Sequence, residues 1–100
     1  MIMHGLDFSM HEIEEFCHRY QVRELAIFGS ALRSDFSAAS DVDLLVEFEP
    51  EAQVGFLSLS RMQREISAIM QRKVDLVPKQ GLKSIIRQAV LSTARVLYAA

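Results

Sequence analysis

Cysteine is almost missing from this chain. Cys17 stands alone, so neither an internal disulfide nor a cysteine-built zinc site can form, and a reducing cytoplasm is the expected compartment. No apolar run approaches the ~20 residues needed to cross a bilayer, so no membrane association is expected. The opening MIMHGLDFSMHEIEE lacks a basic stretch followed by an apolar one, the pattern of a secretory leader. The eleven Lys and Arg are scattered rather than blocked, and thirteen Asp and Glu leave a formal net charge of −2. A protein that grips nucleic acid through its phosphates shows a basic stripe, so direct nucleic-acid binding is not expected. Repeats, low-complexity tracts and linkers are also absent. With 100 residues, half of them apolar, the chain reads as one compact domain spanning 1–100, with one core and little left for a separate acceptor lobe.

What is present has clear periodicity. Residues 1–8 read as a lead-in. Ser9 with Glu12 spells a capping box, Phe8 and Ile13 a hydrophobic staple, and Ile13, Phe16, Cys17 and Tyr20 the inward stripe of a helix. His11 and His18 lie seven apart on that helix, too few ligands for a metal site, and are read as a solvated or partner-facing surface. Val22 to Phe28 is a strand whose unbroken apolar end predicts cover on both faces. Gly29-Ser30 stops it, and ALRSDFSAAS predicts one helical turn and then a loop. In DVDLLVEF, Val42, Leu44, Val46 and Phe48 alternate onto one face of a strand, and Asp41, Asp43, Leu45 and Glu47 onto the other. Phe56, Leu59, Met62, Ile66 and Ile69 mark the next helix. KVDLV is a short strand closed by Pro78, and a last helix directs Leu82, Ile85, Ile86, Ala89 and Val90 inward. The final ARVLYAA either ends that helix or forms a terminal strand. The order predicts an α/β (α+β) domain with a small mixed sheet covered by helices.

Three features carry chemistry. Asp41 and Asp43 share a strand face about 6.6 Å apart, at ~3.3 Å of rise per residue. Two carboxylates that close repel unless a cation intervenes, and a hard divalent ion such as Mg²⁺ takes carboxylate and phosphate oxygens. An exposed acidic edge is the bland alternative. Gly29-Ser30 follows a buried strand, where glycine admits backbone N–H groups to an anion and the serine hydroxyl donates to phosphate. A plain turn is its alternative. Asp75, flanked by inward Val74 and Leu76, faces the same site if its strand lies beside Asp41–Phe48, and water if it does not.

Gly-Ser, ten residues, Asp-x-Asp opening an apolar strand, and a lone Asp on a later strand together resemble the polymerase β-like nucleotidyltransferase superfamily. LAIFGSALRSDFSAASDVDLLVEF is similar to its minimal nucleotidyltransferase branch, and the likeness extends from about residue 10 to the closing helix. Members often read GSRARG where this chain reads GSALRS; Arg33 aligns with the second arginine, while Ala31 and Ser34 depart from the pattern.

The resemblance implies the nucleotidyltransferase fold and transfer of AMP from ATP to a hydroxyl. It implies two Mg²⁺ ions on the metal ligands Asp41, Asp43 and Asp75, with Asp75 also helping to deprotonate the acceptor. Gly29 and Ser30 would hold the β- and γ-phosphates, and Arg33 and Ser40 complete the nucleotide-binding set. Minimal members resemble antitoxins paired with a HEPN toxin whose tyrosine they adenylylate, so a cognate HEPN toxin is the expected partner and acceptor. The alternatives are a non-covalent antitoxin or nucleotide-binding module, and an adenylyltransferase for an aminoglycoside-type small molecule. Homo- or hetero-oligomers are both compatible with the apolar VLYAA end.

Overall fold

The computed structural model describes residues 2–3, 6–29, 41–82 and 84–100. A two-stranded antiparallel ladder, β1 (Ile2–Met3) and β2 (Leu6–Asp7), opens the chain where the sequence suggested only a lead-in. Helix α1 (Met10–Arg19) then starts as its capping pattern predicts: the Glu12 N–H donates to Ser9 Oγ at 3.3 Å, and Phe8 and Ile13 both enter the core. The remaining elements are β3 (Val22–Phe28), β4 (Val42–Phe48), α2 (Phe56–Met70), β5 (Val74–Pro78), a 3₁₀ turn (Lys79–Gly81), α3 (Ser84–Thr93) and β6 (Arg95–Ala99). The terminal segment is thus a strand, because the open edge of β3 offers it a partner.

Four strands form a mixed sheet in the order β5-β4-β3-β6. β3 runs antiparallel to β4 and β6, whereas β4 and β5 are parallel, joined by α2 as crossover. One face carries the core: Leu25 and Ile27 from β3, and Val42, Leu44 and Val46 from β4, pack with Ile13, Phe16 and Cys17 of α1 and Met62, Ile66 and Met70 of α2. Val22 joins that face although strict alternation from Leu25 sends it to the other; a bulge between Val22 and Glu24 adds the step that returns it. On the reverse face, Ala26 and Leu45 are register partners and both buried, as the apolar end of β3 predicted.

Two helix readings need correction. Phe56 is 81% exposed rather than inward; the buried stripe is Met62, Ile66 and Met70, with Leu59 and Ile69 partly buried. Ala89 of α3 is exposed, while Leu82 and Val90 are half-buried; the side chains of Ile85 and Ile86 lie outside the described set.

α2 also finishes the sheet. As an edge strand, β5 has outward N–H groups with no neighbouring strand to accept them. Val74 N–H donates to Ser67 Oγ (3.1 Å) and Leu76 N–H to Gln63 Oε1 (3.0 Å), so two polar side chains one helical turn apart cover that edge. α1 and α2 are tied at their polar margin by Glu65, which accepts from Arg19 and from the Tyr20 hydroxyl (2.5 Å).

Candidate functional site

β4 places Asp43 one residue past a buried Val42 and one before a buried Leu44. Alternation therefore sends its carboxylate out of the face opposite the core. β5 repeats the pattern, with Val74 and Leu76 buried on either side of an exposed Asp75. Parallel pairing sets Val42 beside Val74 and Asp43 directly beside Asp75. Two acids thirty-two positions apart in sequence thus become nearest neighbours across one ladder. The condition attached to Asp75 in the sequence, that its strand lie beside Asp41–Phe48, is met.

Asp41 precedes β4 and is exposed. Continuing the register sets it beside Lys73, where the Val42 N–H donates to the Lys73 carbonyl (2.9 Å) and the Lys73 ammonium lies 3.8 Å from Asp41 Oδ2. Both side chains are more than half exposed, so this ion pair contributes no more than about 1 kcal/mol. Among the described residues, Lys73 is a charged neighbour of the acids that motif reading passed over. The signal was available: it sits two before Asp75 in KVDLV, as Asp41 sits two before Asp43.

Gly29 arrives from the other side. β3 pairs Phe28 with Asp43, and the chain then turns through Gly29 at φ +73°. A Cβ built on Gly29 would lie 2.4 Å from Asp43 Oδ2, closer than side-chain carbons ever approach an oxygen. Glycine is required here twice over, by a left-handed backbone and by the carboxylate that occupies the room a side chain would need. The backbone at the end of β3 and the acid of β4 are thus fitted to each other.

Ser30, Arg33, Ser40 and the predicted helical turn all lie outside the described residues. His11 and His18 are exposed, as read from sequence, and His11 lies 2.5 Å from Glu15. Among the described residues, no three acidic, histidine or cysteine side chains converge into a ready-made metal cage. The donors are nevertheless all carboxylate oxygens, the chemistry a hard divalent cation requires. Such a cation characteristically takes one or two carboxylates and completes its shell with water and substrate phosphate. Together with the close approach that glycine permits beside Asp43, the donor set fits Mg²⁺ and a nucleotide phosphate. No described helix is long and apolar enough to cross a membrane.

Comparison with known proteins agrees with this geometry. The protein adenylyltransferase MntA of Thermococcus cleftensis is 38% identical over 78 residues, covering 78% of this chain and 77% of that one. Among solved structures, a toxin–antitoxin with AMP-PNP superposes with a TM-score of 0.74 at 16% identity, covering 92% of this chain and 74% of that one. A Shewanella oneidensis complex of a tri-AMPylated HEPN toxin with its MNT antitoxin gives 0.66 at 15% identity, covering 91% and 70%. At those identities the structural likenesses establish the fold. The sequence profile of the nucleotidyltransferase domain matches residues 11–96, which takes in the glycine turn and all three aspartates. On that match and its kinship to MntA, the chain belongs to the nucleotidyltransferase domain family.

Proposed function

We propose that this protein is a Mg²⁺-dependent protein adenylyltransferase that transfers AMP from ATP to a tyrosine of a cognate HEPN toxin and silences it. The single domain 1–100 acts in the cytoplasm as the antitoxin of the pair. The observation that carries the reading is the Asp43–Asp75 rung with the Gly29 backbone fitted against Asp43. The named relatives supply the acceptor class: MntA is a protein adenylyltransferase, and the S. oneidensis complex holds an AMPylated HEPN toxin beside its antitoxin.

The reaction is an in-line displacement. The tyrosine oxygen forms a bond to the α-phosphorus, the bond from that phosphorus to the bridging oxygen breaks, and pyrophosphate leaves with the electron pair. Gly29 and Ser30 hold the β- and γ-phosphates, with Arg33 and Ser40 completing the contacts to the nucleotide. Asp41 and Asp43 would hold both Mg²⁺ ions, which when bound supply charge that offsets that on the entering and leaving oxygens. Asp75, beside Asp43 and open to solvent, would ligate the catalytic one and help to deprotonate the tyrosine hydroxyl. The rigid pairing of β4 with β5 fixes the spacing of these acids, and such positioning is a large share of what a phosphoryl-transfer site contributes.

The direct test incubates the protein with ATP, Mg²⁺ and the HEPN protein encoded beside it, and weighs the HEPN protein by mass spectrometry. Adenylyl increments on a tyrosine are expected. An unmodified toxin, in a mixture where the protein binds ATP, overturns the proposal.

A further inference from the structure

The end of the sheet remote from the acids carries a feature that nucleotide transfer leaves unused. A hollow of about 370 Å³ opens where β4 and β5 finish, walled by Phe48, Pro50, Val54, Leu59 and Pro78. Phe56, which also lines it, is 81% exposed, and Leu57, just outside, is 80% exposed. Adjacent helical positions point about 100° apart, so the first turn of α2 spreads two large apolar side chains over a wide arc of surface. Along β4 the near edge of the hollow, at Val46, lies roughly 10 Å from Asp43, three residues at ~3.3 Å each, and Phe48 roughly 17 Å. A protein docked there leaves the aspartate rung open.

The charge around the hollow is mostly negative, Lys79 being the one described cation among its lining residues. Glu47, Glu49 and Glu51 occupy alternate positions along its rim or beside it, and only Glu47 is paired with a described cation, Lys79 at 3.7 Å. A small ligand seated in the hollow would leave Leu57 in water and the two remaining carboxylates unmatched. A protein surface answers both. We propose that this groove is the docking site for the protein acceptor, which inserts an apolar side chain flanked by lysine or arginine. The apolar anchor fills the hollow under Phe56, its neighbours cover Leu57, and the basic flank meets Glu49 and Glu51. This assignment rests on the reading that the acceptor is a protein.

The test measures binding of the purified HEPN protein from the neighbouring reading frame by calorimetry at low and high salt. Wild type is expected to bind, more weakly as salt rises. Phe56→Ser with Leu57→Ser should bind at least tenfold more weakly. Glu49→Lys with Glu51→Lys should bind more weakly and lose most of the salt dependence. All variants should keep wild-type ATP affinity and unfolding midpoint, because the substituted side chains lie in neither the core nor the aspartate rung. Undiminished binding by the Phe56/Leu57 variant overturns the docking site and leaves the acceptor reading standing. Failure of wild type to bind removes the protein acceptor, and the docking site with it. Concentration-dependent self-association of wild type that the Phe56/Leu57 variant loses would assign the face to a second copy of the chain and overturn the proposed occupant.

Discussion

Gly29→Ala probes the fit between the glycine turn and the acid of β4, and its cost divides into two separable parts. At φ +73° an alanine sits in the left-handed region, at roughly 1–2 kcal/mol. Its Cβ would also lie 2.4 Å from Asp43 Oδ2, so the carboxylate must swing away or the turn must move. With about 1 kcal/mol for that displacement, the total is roughly 2–3 kcal/mol, as for other substitutions at strained backbone positions. For a domain of this size that lowers the melting midpoint by roughly 8–24 °C, at 4–8 °C per kcal/mol. Far-UV circular dichroism in a urea or thermal series is the suitable assay, because the chain has no tryptophan. The informative measurement is a double-mutant cycle. In an Asp43→Ala background the steric part vanishes and Gly29→Ala costs only the conformational part, so a coupling near 1 kcal/mol is expected. Equal costs in both backgrounds, or no cost in either, refute the contact. Adenylyl transfer by Gly29→Ala should fall by at least about tenfold, since a misplacement of 1 Å at a reacting centre costs up to about 10².

Asp41→Asn combined with Asp43→Asn should abolish adenylyl transfer while the dichroism spectrum stays native; a variant that still neutralises the toxin at normal expression would show that binding rather than catalysis silences it. Gln63→Leu strands the Leu76 N–H at the edge of β5 and should cost about 1–3 kcal/mol in urea unfolding; a neutral result would mean that the edge is satisfied some other way. The Cys17 thiol is pushed up to about 12 from an ordinary 9.0 by burial and, less strongly, by the Glu14 carboxylate. A raised pKa means that the folded state keeps a proton the unfolded chain releases above pH 9. Its contribution is therefore complete below pH 9 and declines up to about pH 12, at roughly 1.4 kcal/mol per pH unit. Cys17→Ala should flatten that decline, and the native thiol should resist alkylation at pH 8 until the protein is unfolded.

Much of the fold was legible where periodicity was strong. β3 matches its expected limits, β4 begins one residue later than read, and the Ser9 cap and Phe8–Ile13 staple start α1 as spelled. The errors came where local pattern competes with geometry farther away. Phe56 continues a helical stripe in sequence, yet burial of that stripe begins only at Leu59. Ala89 falls on the periodic face of α3 but stays exposed, because an apolar period marks a face without saying whether anything covers it. ARVLYAA had no periodic preference and took the form its partner strand imposed. Two-residue ladders such as β1–β2 are too short to carry a period at all. For the site, Asp41 and Asp43 were marked by local spacing, whereas the approach of Asp75 depended on a parallel register that no single segment encodes. The contact of Gly29 with Asp43 belongs to that class too, as does the cover of β5 by Gln63 and Ser67. Each joins residues from different elements: the approach of Asp75 could be read only as a condition, and the other two were invisible until the strands were paired.

The central claim is that Asp41, Asp43 and Asp75 gather divalent cation at the glycine turn when a nucleotide is bound. Anomalous diffraction from crystals grown with Mn²⁺ and a non-hydrolysable ATP analogue tests it most directly. Metal peaks within coordinating distance of these carboxylates, with the triphosphate against Gly29, are the predicted result. Nucleotide and metal bound elsewhere on the molecule, with the three acids uninvolved, would contradict it.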